Sequence, residues 1–136
     1  MGWLKRVDRF LLAIVTAAVV ATVLPAQGVT VPVLEWVTKY KLDGLRLDAV
    51  KHIESSWYLN LRQRLIADVE SKTKQHIYLV GETYTGDKGL IKTFIDPCTK
   101  LDGQFDFPLR AQLDNTILLR QGKMQDLASF MDDNVS

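Results

Sequence analysis

The sequence predicts an α/β fold preceded by an N-terminal hydrophobic helix, and three kinds of segment lead to that prediction. A nearly continuous apolar run covers residues 10–26, strand-like segments occupy residues 44–47 and 77–80, and an amphipathic helical period lies between these two segments. Strand, helix and strand in this order form a right-handed βαβ unit. We therefore expect the two strands to be parallel neighbours in one sheet.

The chain of 136 residues has room for about one small domain, and its composition is that of a protein with a buried core. Hydrophobic residues make up 47% of the chain and aromatic residues 9%, which excludes a disordered tail. After residue 38, fourteen basic residues are balanced by fourteen acidic ones. No basic stripe is available for a phosphate backbone, so we expect no nucleic-acid binding. Cys98 is the only cysteine, which rules out an intrachain disulfide.

The apolar run at residues 10–26 predicts a helix that enters a membrane. Three basic residues precede the run, and only two threonines interrupt it. At about 1.5 Å per residue it spans roughly 25 Å, less than the ~30 Å hydrocarbon core, so a secretory signal peptide and a membrane anchor are both open. On either interpretation the rest of the chain is membrane-anchored or exported, in the periplasm or outside the cell. We assign residues 1–38 to this transmembrane or signal-like helix and residues 39–136 to a second part.

Residues 44–48 predict a short strand that ends in a carboxylate. Leucines alternate with Arg46 and Asp48, which is the period of two that is typical of a strand. Gly44 allows a neighbouring backbone to approach closely. Because Arg46 lies on the same face as Asp48, its guanidinium can keep that carboxylate ionised and oriented. Lys51 and His52 follow in a loop from which they could reach a polar ligand.

A helix is expected to follow, with a cap at Ser55 or Ser56 and an end near residues 71–74. We interpret Trp57 as a core residue rather than as a residue that contacts a ligand. The residues expected to face the sheet are Tyr58, Leu61, Leu65 and Val69, and those expected to face solvent are Arg62, Arg64, Asp68 and Glu70.

The apolar run at residues 77–80 predicts a parallel strand, and it ends in Gly81 and Glu82. The carboxyl ends of parallel strands meet at one edge of a sheet, so Asp48 and Glu82 are expected to be neighbours at the edge where barrel enzymes build their sites. His76, directly before the strand, is interpreted as structural.

The remaining sequence predicts shorter elements around this unit. Residues 83–88 form a polar loop suited to the rim of a site, and residues 88–95 predict a short helix. Residues 101–108 predict a turn and a short alternating strand. A covering helix is expected to carry Leu109, Leu113, Ile117 and Leu118, and residues 124–134 predict a last helix.

The stretch Gly-Leu-Arg-Leu-Asp-Ala-Val-Lys-His at residues 44–52 resembles the strand-four motif of the alpha-amylase family, glycoside hydrolase family 13. The resemblance implies that Asp48 is the catalytic nucleophile, that Arg46 is its charge partner, and that Lys51 and His52 contact sugar. Gly81 and Glu82, one βαβ unit later, resemble the strand-five motif, whose glutamate is the general acid/base. Retaining glycosidases need two such carboxyl groups about 5 to 5.5 Å apart.

The resemblance covers residues 40–136 and implies a partial (β/α)8 TIM-barrel, from about strand four to strand six. It implies a retaining hydrolase acting on alpha-glucosidic bonds, with an alpha-glucan or maltodextrin as substrate. The family's strand-three and strand-seven motifs are not found in this sequence, and without the third family carboxylate we expect less than full activity. No cofactor is predicted from the residues, and calcium is suggested by the family resemblance alone.

Two other interpretations stay open. Residues 1–38 resemble, more weakly, the first transmembrane helix of the bile-acid:sodium symporter-like family. The chain could then be a membrane protein or transporter fragment, with membrane contact through residues 10–26, fused to a non-functional glycosidase remnant. A sugar-binding module without catalysis is the third hypothesis.

Overall fold

The computed structural model describes residues 14–15 and 26–135, which form a parallel sheet with helices packed against it. The strands lie side by side in chain order: β1 (Ile14–Val15), β2 (Gly44–Leu47), β3 (Tyr78–Gly81) and β4 (Gly103–Gln104). The helices are α1 (Ala26–Tyr40), α2 (Ser55–Arg64), α3 (Ser71–Thr73), α4 (Lys88–Thr93), α5 (Phe107–Leu113) and α6 (Met124–Val135). A 3-10 turn covers Val50–His52, and π-helical segments cover Leu65–Glu70 and Asp114–Leu118.

The hydrophobic helix predicted over residues 10–26 lies almost entirely outside the described residues. Of that run, Ile14 and Val15 form strand β1, which pairs in parallel with Arg46 and Leu47. The structure therefore has strand at these two positions, where a helix was predicted. No helix in the described ranges combines the length and the apolar character needed to span a bilayer. The signal peptide, the anchor and the export that follows from them remain predictions.

Helix α1 belongs to the same core as the sheet. Its buried residues Val33, Leu34 and Val37 pack in one cluster with the outer face of β2 and β3 and with α2. The helix runs to Tyr40, so the boundary predicted between residues 38 and 39 falls inside it. The division of the chain at that point remains a prediction.

The predicted βαβ unit is confirmed. Strands β2 and β3 pair in parallel with Gly44 opposite Tyr78 and Leu47 opposite Gly81. A side chain at Gly44 would place its Cβ 2.6 Å from the carbonyl oxygen of Tyr78, which explains the glycine. The residues of the intervening helix that were expected to face the sheet are buried, as is Trp57: Tyr58, Leu61, Leu65 and Val69.

The boundaries of this helical stretch differ from the prediction in one respect. Glu54 occupies the N-cap position of α2, and no side-chain cap bond is made there, so the predicted serine cap is wrong. Ser56 instead donates its hydroxyl to the Glu54 carboxylate, at 3.4 Å. The end is as predicted, because Lys74 adopts a left-handed conformation with φ 58° after α3.

Arg62 was expected to face solvent, and that prediction is wrong, because its side chain is fully buried. It donates to the carbonyl oxygens of Lys100 at 3.0 Å and Ile77 at 3.1 Å. It is also ion paired with Glu70, at 3.3 Å, and with Asp102. The carboxylates of Glu70 and Asp102 therefore compensate its charge near the amino-terminal ends of β3 and β4. Asp102 lies 40 residues after Arg62 in the sequence.

His76 lies beside this buried arginine, between the same two carboxylates. Its Nδ1 lies 3.2 Å from Glu70 Oε1 and its Nε2 lies 2.8 Å from Asp102 Oδ1. The structural role predicted for His76 is confirmed by these contacts.

The helical region after β4 forms as predicted but is more exposed than expected. Three of the residues that were to cover the sheet are exposed, Leu113 at 36%, Ile117 at 52% and Leu118 at 72%. In α6 the side chain of Leu127 is buried, whereas Met131 is exposed. This region therefore presents apolar surface to solvent.

Candidate active site

Asp48 and Glu82 stand next to each other at the carboxyl-terminal edge of the sheet. Asp48 directly follows Leu47 and Glu82 directly follows Gly81. Leu47 and Gly81 lie opposite each other in strands β2 and β3. The backbone N–H of Glu82 donates to the carbonyl of Leu47 at 2.8 Å, which continues the ladder by one residue. The backbones of neighbouring strands are about 4.8 Å apart, so the two residues that carry the carboxylates are separated by about one strand spacing.

The chain turns sharply after Asp48, and the turn is attached to the other strand. Ala49 adopts a left-handed conformation with φ 50°, which is uncommon for a residue with a side chain. The following N–H, of Val50, donates to the carbonyl of Glu82 at 2.9 Å, and the Val50 side chain is fully buried. Main-chain bonds on both sides of Glu82 therefore fix its position relative to Asp48.

Arg46 joins the two carboxylates. Its guanidinium lies 3.5 Å from Asp48 Oδ1 and forms an ion pair with Glu82 Oε2. The side chains of Arg46, Asp48 and Glu82 are 19%, 32% and 24% exposed, so the cluster is partly shielded yet open to a ligand. A guanidinium presents several N–H donors in one plane, and it can therefore hold two carboxylates at a fixed relative orientation.

Lys51 and His52, the other predicted site residues, lie in the 3-10 turn directly after this strand. Lys51 Nζ donates to the carbonyl of Tyr84 at 2.8 Å, so it connects the loop after Asp48 with the loop after Glu82. Both side chains are exposed. Their position is compatible with contact to a bound molecule.

Three aromatic residues that were not predicted from the sequence as site residues flank the site. The rings of Tyr84 and Phe107 meet edge to face at 5.0 Å, and those of Phe105 and Phe107 at 6.4 Å. A cavity of about 250 Å³ is lined in part by Tyr84, Phe107 and Arg110. The alternation of phenylalanines with polar residues at positions 104–107 was the available signal for them.

A larger cavity, of about 620 Å³, lies away from this edge, between α1 and the π-helical segment Leu65–Glu70. Within the described ranges, no group of three or more His, Cys, Asp or Glu residues is arranged to hold a metal ion. No residue of the described ranges is therefore assigned as a calcium ligand.

The chain is similar to several alpha-amylases. It is 32% identical to an alpha-amylase of Bacillus licheniformis over 88 residues, which are 62% of this chain and 16% of that protein. It is 28% identical to an alpha-amylase of Streptomyces lividans over 75 residues, 55% of this chain and 8% of the relative. The solved alpha-amylase structure from Malbranchea cinnamomea shares its fold with a TM-score of 0.59 at 24% identity, over 79% of this chain and 20% of that one.

The chain thus spans about a fifth or less of each of these three proteins. No family model matches it. The resemblance of residues 1–38 to a symporter helix is not shown by these comparisons.

Proposed function

We propose that this chain, which is similar to alpha-amylases over part of their length, carries the two catalytic carboxylates of a retaining hydrolase of alpha-glucosidic bonds. Asp48 is the nucleophile and Glu82 the general acid/base. The substrate class is an alpha-glucan or maltodextrin, in line with the names of the relatives.

One observation carries this proposal. A single guanidinium, that of Arg46, contacts both Asp48 and Glu82 where two neighbouring parallel strands end. Two carboxyl groups that share one guanidinium nitrogen suit a double displacement, whereas an inverting mechanism needs them about 6.5 to 9.5 Å apart. The Arg46 guanidinium can also orient the Asp48 carboxylate, since both side chains come from the end of the same strand.

The reaction follows from these positions. Asp48 attacks the anomeric carbon, the bond to the leaving oxygen breaks, and Glu82 donates its proton to that oxygen. A covalent glycosyl–Asp48 ester results. Glu82, now ionised, takes a proton from water, the water oxygen attacks the anomeric carbon, and Asp48 is released. Lys51 and His52 are proposed to contact the sugar from the adjoining turn.

An activated substrate separates the two roles. The fluoride ion departs from α-maltosyl fluoride without needing a proton from an acid. The Glu82→Gln variant should therefore still release fluoride in the first turnover. The variant should then accumulate the glycosyl-enzyme, visible as added mass on the intact chain, because the base for the second step is gone. On maltodextrin the same variant should lose about 10²- to 10⁴-fold of the wild-type rate. Asp48→Asn should show neither fluoride burst nor adduct, because the nucleophile is gone.

Glu35→Gln serves as the matched control, since Glu35 is exposed on α1 beside the larger cavity. It should behave as the wild-type chain with both substrates. Equal rates in the wild-type chain, Asp48→Asn and Glu82→Gln would remove the assigned roles. Maltodextrin affinity that survives Glu82→Gln without any turnover would favour a sugar-binding module.

A further inference from the structure

A ring from the segment that follows β4 lies over the guanidinium that joins the two carboxylates. The Cζ atom of Arg46 is 5.5 Å from the centroid of the Phe105 ring. We propose that Phe105 is a positioning residue, which acts through Arg46 to set the relative orientation of Asp48 and Glu82. The inference rests on the proposed function for its kinetic consequence, but its structural consequence can be measured without turnover.

The backbone holds Phe105 in register with the acid/base residue. Its N–H donates to the carbonyl of Gly81 at 3.0 Å, and Gly81 is the residue directly before Glu82. The carbonyl of Phe105 accepts from the N–H of Phe107 at 3.0 Å, at the start of α5. The backbone of Phe105 is therefore hydrogen-bonded to the end of β3, the strand that carries one of the two carboxylates.

Phe105 is 40% exposed, and another ring packs against it. Phe107 packs edge to face against it, and Tyr84 packs edge to face against Phe107 on the side of the loop after Glu82. Edge-to-face pairs hold rings at defined angles and add to the stability that burial provides. The three rings form a continuous wall from the loop after Glu82 to the guanidinium.

A ring suits this position because of how a guanidinium binds. Its N–H donors lie in the guanidinium plane, so an aromatic ring close to Arg46 attracts the charge without needing any of those donors. A ring over one side of a guanidinium also shields that side from water, which strengthens ion pairs on the other side. Phe105 can thus limit rotation of the guanidinium without itself accepting a hydrogen bond.

The kinetic consequence is a loss in kcat rather than in KM. Phe105→Leu keeps an apolar side chain but removes the π face, and we expect kcat to fall about fivefold with KM changed less than about twofold. Phe105→Tyr keeps the ring and should keep kcat within about twofold of wild type. A residue that only supports the fold would show no such rescue by the second aromatic side chain.

The structural consequence is tested on the ¹⁵N-labelled chain by NMR, through rotation about the Nε–Cζ bond of Arg46. We expect Phe105→Leu to raise the rotation rate about threefold or more, and Phe105→Tyr to leave it near the wild-type rate. Arg46→Lys assigns the signal. Arg64, ion paired with Asp68 on the outer surface, supplies an internal reference that should not change.

Phe94→Leu is the matched control, because Phe94 packs edge to face against Tyr58 on the outer side of the sheet. It should leave the rotation rate of Arg46 unchanged. If Phe105→Leu does not fold, Phe105→Met makes the same comparison with a more adaptable side chain.

The two proposals fail separately. Without turnover in the wild-type chain the proposed function fails, while the rotation rates still decide the role of Phe105. Equal rotation rates in the wild-type chain, Phe105→Leu and Phe105→Tyr would overturn that role, even in an active enzyme. Loss of kcat in Phe105→Tyr as large as in Phe105→Leu would overturn it as well.

Discussion

Arg46 and Arg62 each hold two carboxylates, and they do so at opposite ends of the same sheet. Arg46 is partly exposed at the carboxyl-terminal edge, where its partners Asp48 and Glu82 remain open to a ligand. Arg62 is fully buried near the amino-terminal ends, and its pairs with Glu70 and Asp102 are shielded from water. One ion-pair cluster can therefore serve chemistry, while the other serves the fold.

At the residue scale we predict that Arg62→Met destabilises the protein strongly. The substitution leaves the largely buried carboxylates of Glu70 and Asp102 without their cation, which costs about 3 to 5 kcal/mol. Urea unfolding should show this loss of free energy. Arg64→Met removes a half-exposed pair with Asp68 on the same helical stretch and should cost less than about 1 kcal/mol. Equal losses in the two variants would contradict the buried network.

Tyr58 supplies a pH prediction at the same scale. Its side chain is buried, and burial raises the pKa of the hydroxyl above the ordinary 10.0. The unfolded chain therefore releases this proton at a lower pH than the folded one, so stability present below pH 10 is lost as the pH rises through the folded value. Tyr58→Phe should flatten this part of the stability curve, measured by unfolding at pH 8 and above. An unchanged slope would show that Tyr58 does not titrate on unfolding.

At the element scale, glycine decides how closely β2 and β3 pair. Gly44→Ala would bring a Cβ to 2.6 Å from a backbone oxygen of Tyr78, which cannot move aside as a side chain could. The strands would have to separate, and we expect a loss of about 1 to 3 kcal/mol in the free energy of unfolding. Gly86→Ala is the control, because its Cβ would meet no atom within 4 Å and should leave stability equal or about 0.4 to 1 kcal/mol higher.

The elements that sequence could predict are those whose signal is local. The alternation at Arg46 and Asp48 and the helical period through Leu61 needed only neighbouring residues, and both are confirmed. Arg62 was misplaced, since its partners Lys100 and Asp102 are close only after folding. Strand β1 and the packing of α1 were missed for a related reason, because a long apolar run favours a membrane helix on composition alone.

At the candidate site, the motif predicted which residues would come together but not what surrounds them. The adjacency of Asp48 and Glu82 follows from one βαβ unit, and the structure shows that unit. The ring of Phe105 over Arg46 depends on the register of β4, a strand of two residues with too weak a pattern to place a side chain. The catalytic roles of both carboxylates stay a proposal.

At the scale of the whole molecule, the apolar residues after β4 are exposed together. Ile117 is 52% exposed and Leu118 72%, and Leu119 and Met124 follow them in the chain with comparable exposure. Exposed apolar residues so close together in the chain favour association between molecules. We expect the chain to associate with rising concentration through this surface.

The substitutions Ile117→Ser and Leu118→Ser test that expectation. Together they should lower the sedimentation coefficient at high concentration toward the monomer value, without loss of thermal stability, since both side chains are largely in water already. Leu127→Ser, at a buried position of α6, should instead lower the melting temperature. Concentration-independent sedimentation of the wild-type chain would argue against association.

The hydrogen bonds from Glu82 N–H to Leu47 and from Val50 N–H to Glu82 have a consequence for protein engineering. They connect the starts of the two loops through main-chain N–H and C=O groups, and every residue type except proline retains the N–H. The distance between the two acids is thus insulated from changes of side chain at the loop tips. Randomised libraries could therefore redesign the rim residues Thr85 and Gly86 while Asp48 and Glu82 keep their spacing.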